Sequence, residues 1–151
     1  MNGGMKPGYG YAGRVLRVDL DTGRSTIEPL DPVVARWYLG GRGLNMRVLY
    51  DEVPPEVEPF SPENRLMFAT GPLVGTAFSG ASRVNVSARS PLTGILGDSN
   101  AGGFFGPELK YAGFDQVIIR GRAPELVYLL ITEEGASLRP AGHLRGLDVW
   151  Q

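Results

Sequence analysis

Glycine and proline interrupt this chain so often that its helices and strands must be short. The 151 residues include 22 glycines, roughly twice the average share, together with 12 prolines. Several segments between them alternate apolar and polar residues, which is the period of a half-buried strand. Leu16, Val18 and Leu20, for example, share one face of a segment whose other face carries Arg17 and Asp19. The sequence therefore predicts many short strands joined by turns and loops.

The predicted elements show no regular alternation of strands with helices. Helices are expected at residues 32–40, about 44–53 and about 107–112, where prolines and glycines mark the ends. Strands are expected at residues 13–20, 65–71, 83–89, 115–122 and 126–132, with hairpin turns at 21–23 and 133–135. This order argues against a doubly wound parallel sheet. It predicts an α+β domain of mainly antiparallel β-sheets with about three short helices, in which Trp37, Tyr38, Phe104 and Phe105 are core anchors.

Composition excludes several classes of site. A formal net charge of −1 gives no electrostatic reason to expect nucleic acid or an anionic membrane as a partner. Cysteine is absent, so this chain can form no disulfide, thiolate metal site or cysteine-bound iron–sulfur cluster. The one histidine, His143, rules out a multi-histidine metal site, and we expect it at the surface rather than in catalysis. No apolar segment is long enough for a membrane span or a signal core, so the predicted compartment is the cytoplasm.

The stretch GDSNAGGFFGPELKYAG, residues 97–113, admits two interpretations. Gly102, Gly103 and Gly106 would let the backbone pass close to a ligand, because no Cβ intervenes. Pro107 fits the first position of a helix, whose start favours phosphate, and Asn100 adds a polar group just before it. The alternative is a tight structural turn. Spacing alone favours the turn, because the pattern is neither a P-loop nor a dinucleotide fingerprint.

Two arginines lie among small residues and are candidates for an anion site. Arg42 stands between glycines in LGGRGLN, where it could direct its guanidinium at a phosphate. Arg83 opens a strand after the small residues of SGAS, from which it could reach an anion without obstruction. The alternatives are a solvated arginine in a helix–helix corner and a charge on an edge strand. Since no acid–base couple or activated nucleophile accompanies them, the residues indicate a platform for a cofactor or phosphate ligand without chemistry of its own.

Six motifs occur in an order that resembles a known family. They are GYAGRVLRVDLDTG, YLGGRGL, VEPFSPENRLMFATGPLVGT, SRVNVSARSPLTG, DSNAGGFFGPELKYAGFDQVIIRGRAPELVYLLI and HLRGLD. Together they are similar to the N-terminal domain of the aldehyde:ferredoxin oxidoreductase family, the tungsten-pterin enzymes. The resemblance runs from Tyr11 to Asp148, and six motifs in register make a chance match improbable.

The resemblance implies a β-sheet base on which a tungsten bis-molybdopterin cofactor lies. Tungsten, or molybdenum in some members, is held by the sulfurs of the cofactor, and a magnesium ion bridges the two pterin phosphates. Later domains supply cysteines for a 4Fe–4S cluster and line the substrate channel. The implied reaction oxidises an aldehyde to a carboxylic acid and passes electrons through the cluster to ferredoxin. Residues 1–151 would then be part of the cofactor-binding domain, and we expect them to be inactive alone and part of a homo-oligomer.

The resemblance also assigns site residues. The family arginine that contacts pterin falls on Arg83, the asparagine whose backbone carbonyl helps hold magnesium falls on Asn100, and a glycine that meets the pterin falls on Gly102. Physical reasoning adds four more residues as cofactor contacts: Gly103, Ser99, Ala101 and Arg42. No catalytic residue is assigned.

Two alternatives to this function remain open. The parent enzyme could belong to a sister branch that acts on another substrate, such as a carboxylic acid or a thioester-linked aromatic acid. The chain could also be a non-catalytic cofactor-binding or assembly subunit that docks onto a cysteine-bearing partner. The tail GLDVWQ, which ends without a stop signal, favours a fragment of a longer protein.

Overall fold

The structure, a computed structural model, describes residues 8–150. Eight strands are present: β1 Arg14–Asp19, β2 Arg24–Pro29, β3 Leu66–Thr70, β4 Val84–Arg89, β5 Leu96–Ala101, β6 Gln116–Arg120, β7 Val127–Thr132 and β8 Gly135–Pro140. The helices of these residues are α1 Pro32–Tyr38, α2 Arg42–Glu52, α3 Phe105–Tyr111 and a 3₁₀ turn at Gly142–Leu144. Each is short, as the frequency of glycine and proline predicts.

Six strands form one sheet in the order β2-β1-β6-β3-β4-β5, and β7 pairs with β8 in a separate hairpin. Strands β1 and β6 are parallel, whereas every other pair in the described residues is antiparallel. The predicted α+β class, with mainly antiparallel sheets and three short α-helices, is confirmed.

Both faces of the six-stranded sheet are covered. On one face, α1 and α2 pack over a buried cluster that includes Leu44, Met67 and Ile118. On the other face, α3 and the β7–β8 hairpin enclose a second cluster around Leu16 and Phe114. Burial of these apolar side chains, at about 25 cal/mol per Å², is the main source of stability. The sheet is therefore the rigid middle layer on which any site must be built.

The two ends of this sheet differ in composition, and we name them for what they carry. The glycine end comprises the start of β1, β4 and β6, the finish of β3 and β5, and the N-terminus of α2, where the Gly41 N–H donates to the Thr70 carbonyl at 3.0 Å. The charged end comprises the finish of β1 and β6, the start of β2 and β3, and the C-terminal residue of α2, Glu52.

Two of the sequence expectations were wrong. Trp37 and Phe104 were expected in the core, but their side chains are 78% and 85% exposed, and Phe105 is only half covered, against Phe68. Tyr38 does pack against the core cluster under α1 and α2.

The residues of GDSNA were expected in a loop or turn, but they form most of strand β5 at the sheet edge. Aromatic character and glycine content are weak guides where the covering partner or the neighbouring strand is distant in sequence.

Candidate functional site

The glycine end brings most of the candidate residues to one corner of the sheet. The register of β4 and β5 pairs Val84 with Ala101, so Arg83 precedes β4 where Gly102 follows β5. A Cβ on Gly102 would lie 3.8 Å from the Ser82 hydroxyl, which confirms this proximity. The Arg83 side chain is exposed and makes no hydrogen bond or ion pair within residues 8–150. Its guanidinium is therefore available to an external acceptor.

The candidate residues on β5 divide between the two faces of the sheet. Asn100 pairs with Asn85 on the face that α2 covers, and the Asn85 amide donates to the Asn100 side-chain oxygen at 3.3 Å. Ser99 and Ala101 alternate with it and share the opposite face with Val86 and Val84. Because their side chains lie on opposite faces, one flat ligand can contact Ser99, Asn100 and Ala101 together only through the backbone of β5.

Arg42 joins this corner from the other side. It is the first residue of α2, and its Nε lies 2.8 Å from a carboxylate oxygen of Asp98 on β5. Gly40 lets the corner before α2 lie against β3, because a Cβ there would approach the Thr70 carbonyl oxygen to 2.5 Å. The guanidinium of Arg42 is thus held beside β5 while its side chain remains 61% exposed.

Gly103 and Gly106, which follow β5, are glycines for different structural reasons. At Gly103 an added Cβ would meet nothing within 4 Å, although a φ of +96° disfavours other residues there. At Gly106 an added Cβ would lie 2.8 Å from the backbone oxygen of Ser82, and Gly106 is buried. Gly106 was expected to give clearance to a ligand, but its role is close packing of α3. Pro107 is the third residue of α3, not the first, because the helix begins at Phe105.

A buried ion pair fixes the floor of the glycine end. Asp115, completely buried, accepts hydrogen bonds from the backbone N–H groups of Ala12 at 3.1 Å and Gly13 at 2.6 Å and from the ammonium of Lys110. Tyr11 donates to the Leu39 carbonyl at 2.7 Å. Burial, and secondarily the charge of Asp115, raises the pKa of Tyr11, which keeps its hydroxyl protonated as a donor. These bonds tie the segment before β1 to both β6 and α1.

Sequence reasoning missed a buried polar cluster formed by Asn45, Asn85, Ser87 and Gln116. The alternation in RVNVSAR predicts a solvent-facing polar side, which would carry Asn85 and Ser87. The structure instead buries that side beneath α2. Asn45 follows Leu44 directly, and these two are the buried residues of α2, but no pattern in the sequence marks Asn45 as buried.

The charged end holds more ionised groups, but they neutralise one another. Arg17 reaches Glu52 at 2.6 Å and Glu28 at 2.7 Å, Arg65 reaches Glu52 at 3.2 Å, and Arg120 pairs with Asp19. Burial opposes ionisation of Glu52 most strongly, yet hydrogen bonds and charge from Arg17, then Arg65, leave the pKa of this carboxyl lowered. A cavity of about 530 Å³ lies there, lined by these paired side chains and by Arg24, which makes no hydrogen bond or ion pair within residues 8–150. Most of the charged groups around the cavity are therefore already paired within the fold.

Within residues 8–150 no group of three or more His, Cys, Asp and Glu side chains could hold a metal ion. In the same residues no helix is both long and apolar enough to cross a membrane. His143 is exposed, in the 3₁₀ turn, as expected.

Comparison with known proteins identifies the family. The family model described as "Aldehyde ferredoxin oxidoreductase, N-terminal domain" matches residues 15–151. The tungsten-containing aldehyde ferredoxin oxidoreductase of Pyrococcus furiosus is 45% identical over 141 residues, which cover 93% of this chain and 23% of that protein. The "Aliphatic sulfonate oxidoreductase, WOR-like subunit" of the same organism is 34% identical over 142 residues, covering 92% of this chain and 22% of that subunit.

A solved structure agrees with this match. The active-site complex BamBC of benzoyl coenzyme A reductase, in complex with 1,5-dienoyl-CoA, contains a chain that is 51% identical with a TM-score of 0.89. The match covers 91% of this chain and 21% of that chain, so the present sequence spans less than a quarter of the relatives it matches. The fold, the motifs and these matches agree that the chain belongs to the aldehyde ferredoxin oxidoreductase family, as its N-terminal domain.

Proposed function

We propose that residues 1–151 are part of a cofactor-binding domain, on which a tungsten or molybdenum bis-pterin lies. The protein containing this domain would oxidise aldehydes to carboxylic acids. Its electrons would pass through a 4Fe–4S cluster, supplied by later domains or by a cysteine-bearing partner subunit, to ferredoxin in the cytoplasm. The observation that carries the proposal is the exposed Arg83, which has no partner among the described residues, beside the open backbone of Gly102 and Gly103.

The geometry of this corner fits a flat, anionic group. Added Cβ atoms at Gly102 and Gly103 would meet, respectively, only the Ser82 hydroxyl at 3.8 Å and open space, so a planar ring can approach the backbone. Arg83 offers a planar set of N–H donors suited to phosphate or to the polar edge of a pterin. Arg42, held on Asp98, adds a second guanidinium from the α2 side. When bound, the tungsten pterin would supply the redox chemistry, while this chain binds and orients it.

The backbone of Asn100 is suited to hold a cation beside the phosphates. The Asn85 amide on β4 donates to the Ser99 carbonyl at 3.2 Å, so that carbonyl faces β4. Successive carbonyls of a strand point in opposite directions, and β5 has β4 as its neighbour at the edge of the sheet. The Asn100 carbonyl therefore faces the open edge, where a magnesium ion could accept it as an oxygen ligand.

Replacement of Arg83 tests the proposal in the protein that contains this chain. Arg83→Ala removes a charge-assisted contact of about 1.5–3 kcal/mol, so we expect roughly 10- to 150-fold weaker retention of pterin and of tungsten or molybdenum. Elemental analysis and pterin fluorescence after release measure both. Arg24→Ala, an exposed arginine at the charged end, is the matched control and should change neither. Unchanged metal and pterin contents in Arg83→Ala would make Arg83 a structural residue only.

A second candidate function is favoured by one specific comparison. The benzoyl coenzyme A reductase complex is more similar in sequence, at 51% identity, than the Pyrococcus furiosus aldehyde enzyme at 45%. The parent could therefore be a reductase of a thioester-linked aromatic acid built on the same cofactor base. Aldehyde-dependent reduction of a viologen dye supports the first function, whereas dye-coupled interconversion of benzoyl-CoA and a dienoyl-CoA supports the second. Metal-free protein that is inactive in both assays, despite available tungsten, would support a non-catalytic assembly subunit.

A further inference from the structure

Four polar side chains lie where a sheet and a helix would ordinarily bury apolar ones. Asn45 is 0% exposed, Asn85 and Ser87 are 2% exposed, and Gln116 is 3% exposed. Burial of amide and hydroxyl groups is unfavourable unless each finds a hydrogen-bond partner. The polar groups of this cluster must therefore bond either to one another or to groups on a neighbouring element.

Internal bonds fix the orientation of one amide in the cluster. The Gln116 amide donates to the Asn45 side-chain oxygen at 2.9 Å, and the Asn45 amide donates to the Asn85 side-chain oxygen at 2.9 Å. The Ser87 hydroxyl donates to the same Asn85 oxygen at 2.6 Å. Two donors on that oxygen determine which way the amide faces, because the opposite orientation would set donors against donors. The Asn85 nitrogen is consequently directed at β5.

The Asn85 nitrogen meets three acceptors on the edge strand. They are the Asp98 carboxylate at 3.3 Å, the Ser99 carbonyl at 3.2 Å and the Asn100 side-chain oxygen at 3.3 Å. Asp98 also holds Arg42 through its 2.8 Å ion pair. One buried amide thus contacts three consecutive residues of β5 and, through Asp98, the arginine of α2.

We infer that Asn85 is a positioning residue for the cofactor-binding corner. Pairing with β4 directs the Ser99 carbonyl toward the sheet and the Asn100 carbonyl toward the open edge. The Asn85 amide stabilises this arrangement by bonding Ser99, Asn100 and, through Asp98, the side chain of Arg42. The inference rests on the proposed function, because it assigns Asn85 a role toward the cation and phosphates that this corner would bind. Asn85 itself is buried and acts through Asn100 and Asp98.

Two variants separate positioning from stability. Asn85→Leu keeps the volume similar but removes the amide that faces β5, whereas Thr70→Val removes a buried hydroxyl on β3 that bonds the Asp115 carbonyl at 3.2 Å. In the full-length protein we expect Asn85→Leu to weaken magnesium retention and pterin retention about tenfold or more, as loss of outer-shell partners does in metal sites. Thr70→Val should retain both. Equal retention of magnesium and pterin in the two variants would overturn the inference.

A second measurement does not depend on the cofactor. Hydrogen exchange of the backbone amides of Ser99 and Ala101, which face β4, should accelerate about tenfold in cofactor-free Asn85→Leu and remain unchanged in Thr70→Val. Unchanged exchange in Asn85→Leu would overturn the positioning role. Wild-type protein that binds no pterin would instead refute the proposed function, while the exchange result still decides whether Asn85 orders β5. If Asn85→Leu does not fold, Asn85→Ser provides the same test, because serine can pair with Asn45 but is too short to reach β5.

Discussion

The two ends of the sheet use polar groups in opposite ways. At the charged end, arginines and carboxylates bond to each other at 2.6–3.2 Å, so most of their hydrogen-bonding capacity is used within the fold. At the glycine end, Lys110 and Asp115 are matched and buried, but Arg83 and the outer backbone of β5 remain without partners in the described residues. The end with fewer charges is therefore the better candidate for ligand binding.

This difference shows that neither charge density nor a cavity identifies a site by itself. The cavity of about 530 Å³ at the charged end is lined mostly by charged residues that bond to one another, with Arg24 the exception among its charged groups in the described residues. The candidate corner is an open edge, shaped by the missing side chains of Gly102 and Gly103 and by the guanidinium of Arg83, which has no partner within residues 8–150. The candidate corner is distinguished by hydrogen-bond donors and acceptors that remain unused in the described residues, on the Arg83 side chain and on the outer backbone of β5.

The largest expected effect comes from the buried ion pair beneath the glycine end. Asp115→Ala removes the charge partner of the Lys110 ammonium, which keeps only the Gly10 carbonyl as acceptor, and leaves the backbone N–H groups of Ala12 and Gly13 without theirs. Breaking a buried pair from one side typically costs about 3–5 kcal/mol, and we expect a loss of this size in the free energy of unfolding. Urea unfolding of the chain, followed by circular dichroism, measures it.

The corresponding control lies at the charged end. Asp19→Ala removes the partner of the exposed Arg120, and solvent can replace that interaction, so its effect should be much smaller. Comparable losses for the two aspartate variants would mean that the ends do not differ in how they are stabilised.

Two glycines sharpen the comparison within the glycine end. Gly106→Ala would place a Cβ 2.8 Å from the Ser82 backbone oxygen, and we expect overpacking to cost about 1–3 kcal/mol of stability. Gly102→Ala meets only a side-chain oxygen at 3.8 Å, so the fold should tolerate it while the loaded protein loses pterin. Thermal unfolding of the chain and pterin content of the full-length protein are the measurements. A stable Gly106→Ala, or a Gly102→Ala that keeps its pterin, would contradict the respective assignment.

Strands with clear apolar alternation were predictable from the sequence, whereas β5 was not. In β1 the alternation of Leu16, Val18 and Leu20 with Arg17 and Asp19 predicts a strand regardless of what pairs with it. Strand β5, LGDSNA, carries little apolar signal and is a strand because β4 pairs with it over six positions. Its polar side chains suit an edge, where burial on both faces is not required.

Resemblance names the candidate residues of this corner, but their arrangement was not predictable from the sequence. Nothing local to Arg83 or Gly102 places them side by side, since that depends on the register of β4 against β5. The division of Ser99 and Asn100 between two faces follows from the same register. The Asn85 network escaped prediction because an alternating polar side is usually solvated, and only the packing of α2 buries it.

The smallest expected effect concerns acidification of the charged end. The pKa of Glu52 is lower in the folded chain than in the unfolded chain, so its contribution to stability is present above the unfolded pKa and disappears as pH falls through the folded pKa. Because Arg17 and Glu52 are partly exposed, screening limits this contribution to about 1 kcal/mol. Glu52→Gln should therefore be less stable than the unmodified chain by about this amount at pH 7 and by progressively less at pH values below 4, as urea unfolding can measure. A difference that stays constant with pH would show that Glu52 stabilises the charged end by packing rather than by charge, and the contrast between the two ends would lose its electrostatic basis.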